Sequence, residues 1–76
     1  MRRSSGYDFV EPMILRILKD SDIALSVLAI NYHVNRSIGK TINLNVIKRN
    51  LMFLMNRNKI SKTQDVNGIL FYKFIA

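Results

Sequence analysis

Cysteine and tryptophan are absent from this 76-residue chain, proline and histidine occur once each, and glycine three times. Without cysteine there is no disulfide framework and no thiolate metal site, which excludes a secreted mini-fold held together by staples. A lone histidine, His33, has no second histidine to complete a metal site, so no metal and no cofactor is expected. The three glycines, Gly6, Gly39 and Gly68, stand far apart and form no phosphate-cradling loop. Ile38-Gly39-Lys40-Thr41 echoes the end of such a loop, but the first glycine is missing and no strand precedes it. Acids are scarce too. Of five, Asp8, Glu11, Asp20 and Asp22 flank a single apolar-periodic segment, where carboxylates serve as caps and turn residues. No paired acid and base can be placed from them, so an enzyme is not expected.

Long apolar runs are also missing. The longest, residues 23–30, is far short of the ~20 residues needed to cross a bilayer. Met1-Arg2-Arg3 does not open a signal peptide, because Asp8, Glu11 and Arg16 interrupt the apolar stretch after it and no small-residue cleavage site appears. The expectation is a soluble, cytoplasmic protein without a membrane partner, nucleoid-associated or in a host cytoplasm if viral.

What is present is a 49% hydrophobic complement, enough for one small core, and a net charge of +7. The charge is unevenly placed. Residues 1–22 are neutral in sum, whereas residues 23–76 carry eight Lys and Arg against Asp65 alone. Such asymmetry points to a polyanionic or acidic partner.

Residues 1–8 read as a flexible basic tail and 9–76 as one domain. Val10, Met13, Ile14, Ile17 and Leu18 recur at helical spacing, with Pro12 in the first turn and turn chemistry at residues 19–22. Residues 23–25 allow two readings: a short strand before a helix capped by Ser26, or a helix begun at Ser21 or Asp22. Either way residues 27–33 are helical, with Leu28, Ala29 and Tyr32 expected inward, and residues 35–40 read as a loop. Asn43 caps a third helix from Leu44 to about Arg57, whose inner face is Leu44, Ile47, Leu51 and Leu54. Asn58 suits a positive φ at its end. Residues 59–64 and 69–75 then flank Asp65-Val66-Asn67-Gly68, with Asn-Gly expected as the type I′ pair of a hairpin. Leu70, Tyr72 and Phe74 should face the helices.

The run Ile47-x3-Leu51-x2-Leu54-x3-Asn58-x-Ile60 resembles the recognition-helix signature of the winged helix-turn-helix superfamily, over roughly residues 10–75. The resemblance implies an α+β fold of three helices followed by a β-hairpin wing, and double-stranded DNA as partner. Two features depart from the pattern. The segment from Asn35 to Ile42 is longer than a tight turn, and the wing tip lacks Arg or Lys. Lys48, Met52 and the absence of Pro-Pro-x-Trp separate the chain from the Z-DNA-binding members. Small stand-alone members resemble regulators of phages, archaeal viruses or plasmids, and the abundance of Asn, Ile and Lys fits an AT-rich genome.

Helical period gives a matching reading from the residues themselves. With Ile47, Leu51 and Leu54 inward, Asn45, Lys48, Arg49 and Met52 point outward on a rod that fits a major groove. Asn43 and Asn45 sit at its N-terminal turn, where such helices usually read bases or phosphates. Arg36, Lys40, Lys59, Lys62 and Lys73 are candidate phosphate contacts as a set, although each alone reads more readily as a solubility charge. Arg2 and Arg3 are similar to minor-groove arms. The rival reading is a docking module on a larger assembly such as a polymerase, or a homodimer, through Phe53, Met55, Phe71 and Ile75. Phe53 discriminates: exposure beside Lys48 and Arg49 would favour docking.

Overall fold

The computed structural model describes residues 9–75; the expected tail and its Arg2–Arg3 arm lie outside the described residues. The elements run α1 (Val10–Asp20), β1 (Leu25–Ser26), α2 (Val27–Ile38), α3 (Leu44–Asn56), β2 (Ile60–Gln64) and β3 (Leu70–Phe74). This is the winged-helix order, with β3 at the centre of a three-stranded antiparallel sheet arranged β1-β3-β2. Leu25 pairs with Tyr72 and Ser26 with Phe71, while Ile60 to Gln64 run antiparallel against Phe74 to Leu70.

Aliphatic stripes from the three helices build the core. Val10, Ile14 and Leu18 come from α1, Ile30 and Val34 from α2, and Ile47, Leu51 and Leu54 from α3. Ile42, Ile60 and Tyr72 close it, and among the described residues no polar or charged residue is buried with them. Each fully buried aliphatic side chain of this size contributes about 1.5–3 kcal/mol relative to exposure, so these stripes carry the fold.

The short-strand reading of residues 23–25 is close to what forms. The strand is Leu25–Ser26, and the Ser26 hydroxyl oxygen caps α2 by accepting from the Ala29 N–H at 3.2 Å. The expected inner face of α2 is wrong, however. Leu28 and Tyr32 are exposed and Ala29 is half-buried, whereas Val27, Ile30, Val34 and Ile38 form the inward stripe. Stopping the helix at residue 33 hid the last members of that stripe and shifted its phase. α2 continues through Asn35 and Arg36 to Ile38, where Gly39 at φ 74° closes it with an N–H to the Asn35 carbonyl. The connection to α3 is thus only residues 39–43, and the apparent long loop disappears.

The hairpin also turns differently. Only Gly68 in its tip has positive φ, at 85°, so Asn67 and Gly68 are not a type I′ pair. Gly68 N–H bonds the Asp65 carbonyl across Val66 and Asn67, a type I turn followed by a left-handed glycine. Asp65 explains the choice, because its Oδ1 accepts from the N–H groups of both Asn67 and Ile69 at 2.9 Å. Asn58, in contrast, has the positive φ expected of it, 60°.

Gly39 gives a clean test of backbone conformation. A Cβ there would meet nothing within 4 Å, so substitution brings conformational strain without a clash. Gly39→Ala should cost about 1 kcal/mol and lower the melting temperature by roughly 4–8 °C. An unchanged thermal transition would show that the turn accommodates a left-handed alanine freely.

Candidate nucleic-acid interface

α3 begins at Asn43, whose Oδ1 accepts from the Asn45 N–H at 2.7 Å. The Asn43 side-chain oxygen is therefore the cap of the helix. From that start, about 100° per residue turns Ile47, Leu51 and Leu54 into the core and leaves Asn45, Lys48, Arg49 and Met52 exposed. Asn50 folds back instead, its amide donating to the Val46 carbonyl at 2.8 Å.

The outward face divides into two flanks. Lys48 and Met52, one turn apart, lie towards the hairpin; Arg49 and Phe53 lie on the other side. Lys62 comes to the first flank because it is opposite Tyr72, on the helix-facing side of the hairpin. Lys48, Met52 and Met55 from α3 thus share a groove of about 510 Å³ with Lys62, Ile69 and Tyr72. Burial raises the pKa of the Tyr72 phenol above its usual value, which keeps this wall neutral well past physiological pH. Asp65, the acid of the wing, has its Oδ1 engaged by the turn. The face is therefore basic with an apolar centre.

Other sequence-predicted contacts are scattered. Lys40 is exposed in the short connection between α2 and α3. Arg36 is exposed on α2, where Nη1 donates to the Tyr32 hydroxyl oxygen at 2.9 Å. Lys59 lies elsewhere, beside Arg16, Lys19 and Phe74 in a depression against α1. Lys73 is on the outer side of the sheet, its Nζ donating to the Asp22 carbonyl at 3.2 Å. Neither joins the α3 groove.

The residues grouped for protein docking do not form one surface. Phe53 is 45% exposed and adjoins Arg49, about 140° around the helix from Lys48. Met55 packs partly against the core. Phe71 and Ile75 belong to the outer side of the sheet, half-buried and exposed respectively. His33 is exposed with its ring edge-to-face against Tyr32 at 5.5 Å, and no group able to hold a metal occurs among the described residues. No helix among them is long and apolar enough to cross a membrane.

What sequence reading missed is the device that sets α3 in place. Asn35 Oδ1 accepts from the Ile42 N–H at 2.7 Å, and Asn31 Nδ2 donates to the Ile42 carbonyl at 3.0 Å. The Asn35 amide then donates to Asn31 Oδ1 at 3.1 Å, locking the two side chains together. Ile42 is clamped on both backbone groups while its side chain enters the core. Two asparagines one helical turn apart were the available signal, but asparagine read as a helix breaker concealed it. A second link, the ion pair of Arg57 with Glu11, ties the end of α3 to the first turn of α1.

No protein-family profile matches the chain, and no curated protein matches it in sequence. Solved structures do. The ferric uptake regulator Fur of Helicobacter pylori, described with three functional metal binding sites, superposes with a TM-score of 0.84 at 22% identity, over 93% of this chain and 48% of its own. RosR, in a complex named hsRosR-S4, gives 0.78 at 24% identity, over 90% of this chain and 56% of its own. Fur of Vibrio cholerae, described as rearranging its DNA-binding domains, gives 0.74 at 14% identity, over 100% of this chain and 55% of its own. The chain spans about half the length of each, and the likeness is one of fold.

Proposed function

We propose that this winged-helix domain binds double-stranded DNA as a small transcriptional regulator, with α3 in the major groove and the hairpin on the sugar-phosphate backbone. The observation that carries the reading is the basic, acid-free outward face of α3, continued by Lys62 across a groove from Lys48. Helix width suits the major groove, lysine and arginine pair with guanine O6 and N7, and asparagine pairs with adenine N6 and N7. Lys62 in the groove and Arg36 and Lys40, exposed on α2 and on the connection into α3, are the phosphate contacts of this proposal; Lys59 against α1 and Lys73 on the outer side of the sheet are left out of it. The structural likeness to a protein with named DNA-binding domains is in keeping with the reading.

A salt titration tests it. With Arg36, Lys40, Lys48, Arg49 and Lys62 each neutralising a phosphate charge, log K should fall against log salt with a slope of about −4.5. A slope near zero would sink the proposal.

Docking on an acidic protein is the second reading, favoured by one observation: Phe53 is exposed beside Arg49. It predicts that Phe53→Ser leaves DNA affinity unchanged and abolishes capture of the partner. Loss of DNA affinity in Phe53→Ser would count against it.

A further inference from the structure

We infer that Met52 is a specificity-determining residue that reads the C5-methyl group of thymine. This inference rests on the DNA-binding proposal and adds to it the chemistry of one base position.

Met52 is 60% exposed, at the mouth of the groove it shares with Lys48, Met55, Lys62 and Ile69. Met55, one residue short of a turn later, packs partly against the core, so the two methionines have different surroundings. Around Met52 the outward face carries the hydrogen-bonding groups of Asn45, Lys48, Arg49 and Asn56, with exposed Phe53 on the far flank and Met55, Ile69 and Tyr72 along the groove on the near one. An apolar side chain in the middle of such a face gains from a groove only where the groove offers it an apolar group.

The major groove has one: among base edges, only thymine presents a methyl. The remaining edges suit the neighbours of Met52. Lys48 and Arg49 match guanine, and Asn45 matches adenine. α3 carries no acid to accept from the cytosine amino group. Methionine is also fitted to the task, since its unbranched, polarizable thioether adjusts to a contact whose position varies with local groove width. Asn45 and Met52 are two turns apart on one face, about 10.5 Å along the helix axis, so the two side chains reach different base pairs.

The test uses the full chain and the short duplex it enriches most strongly from a random-sequence pool. Affinity is measured for that duplex and for the same sequence with every thymine replaced by uracil, which removes the methyl and keeps the base-pairing edge. Wild type should bind the uracil duplex about fourfold more weakly, the worth of one buried methyl. Met52→Ala should bind both duplexes equally, at the wild-type uracil level, whereas Lys48→Ala should keep the discrimination. Equal binding of the two duplexes by wild type overturns the inference and leaves DNA binding standing. Uracil sensitivity that persists in Met52→Ala overturns it as well, by assigning the effect to duplex deformability. A protein that binds no duplex loses both this inference and the proposal beneath it.

Discussion

Replacing Lys48 and Arg49 together by alanine should lower duplex-DNA affinity about a hundredfold while shifting the melting temperature by less than about 4 °C. Each residue sits on the exposed face of α3, away from Ile47, Leu51 and Leu54, so truncation opens no cavity. Exposed substitutions of this kind usually fall within about 0.5 kcal/mol of neutral. A good base contact from lysine or arginine is worth about 1–3 kcal/mol, and two of them set the expected loss. Lys73→Ala is the control. It also removes one positive charge, but from the outer side of the sheet, where Lys73 reaches the Asp22 carbonyl. Fluorescence anisotropy on a labelled duplex, with thermal unfolding of the same samples, reads both quantities. If Lys73→Ala weakens binding as much as Arg49→Ala, net charge matters and the α3 face does not.

Asn35→Leu should be the most damaging polar substitution for stability, lowering the melting temperature by roughly 10–20 °C. Leucine keeps the γ-branched shape of asparagine, at a larger volume, but can neither accept from the Ile42 N–H nor donate to Asn31 Oδ1. Two part-buried polar groups would lose their partners, at about 1–3 kcal/mol each. Asn35→Asp separates the two bonds, because a carboxylate still accepts from Ile42 but has no amide for Asn31. It should melt between wild type and Asn35→Leu. The clamp also sets the entry of the chain into α3, so Asn35→Leu should lose DNA affinity even at temperatures where the variant remains folded. A leucine variant as stable as wild type would mean that water replaces both bonds without cost.

Much of this molecule was legible before the structure. α1, α3 and the hairpin strands stand out because their signals are local: apolar residues at helical spacing, an Asn43 cap, and turn chemistry around Gly68. The outward placement of Lys48 and Arg49 follows from that same period. α2 was harder. Its stripe Val27, Ile30, Val34 and Ile38 is as regular as the others, but Asn35, Arg36 and Ser37 lie between its last members and carry loop composition. Asn35 is helical here because its side chain bonds Ile42 and Asn31 instead of competing with its own backbone. The turn in the hairpin was misread for a related reason. Asn-Gly favours a type I′ pair in isolation, but the Asp65 carboxylate organises two backbone N–H groups and moves the turn one residue earlier.

By itself, the amino-acid sequence determined the class of fold, the aliphatic core faces of α1 and α3, and the concentration of positive charge after residue 22. Those properties depend on spacing within one element and on counts along the chain. Only the tertiary structure decided which charges share a surface. Strand register carries Lys62 to the groove beside Lys48 and Met52, and the same alternation sends Lys73 to the opposite side. It also decided how α3 is held, through side chains of α2 that reach a backbone eleven residues away. Neither outcome has a local period. Both come from pairings between distant segments, which exist only once the core has brought those segments together.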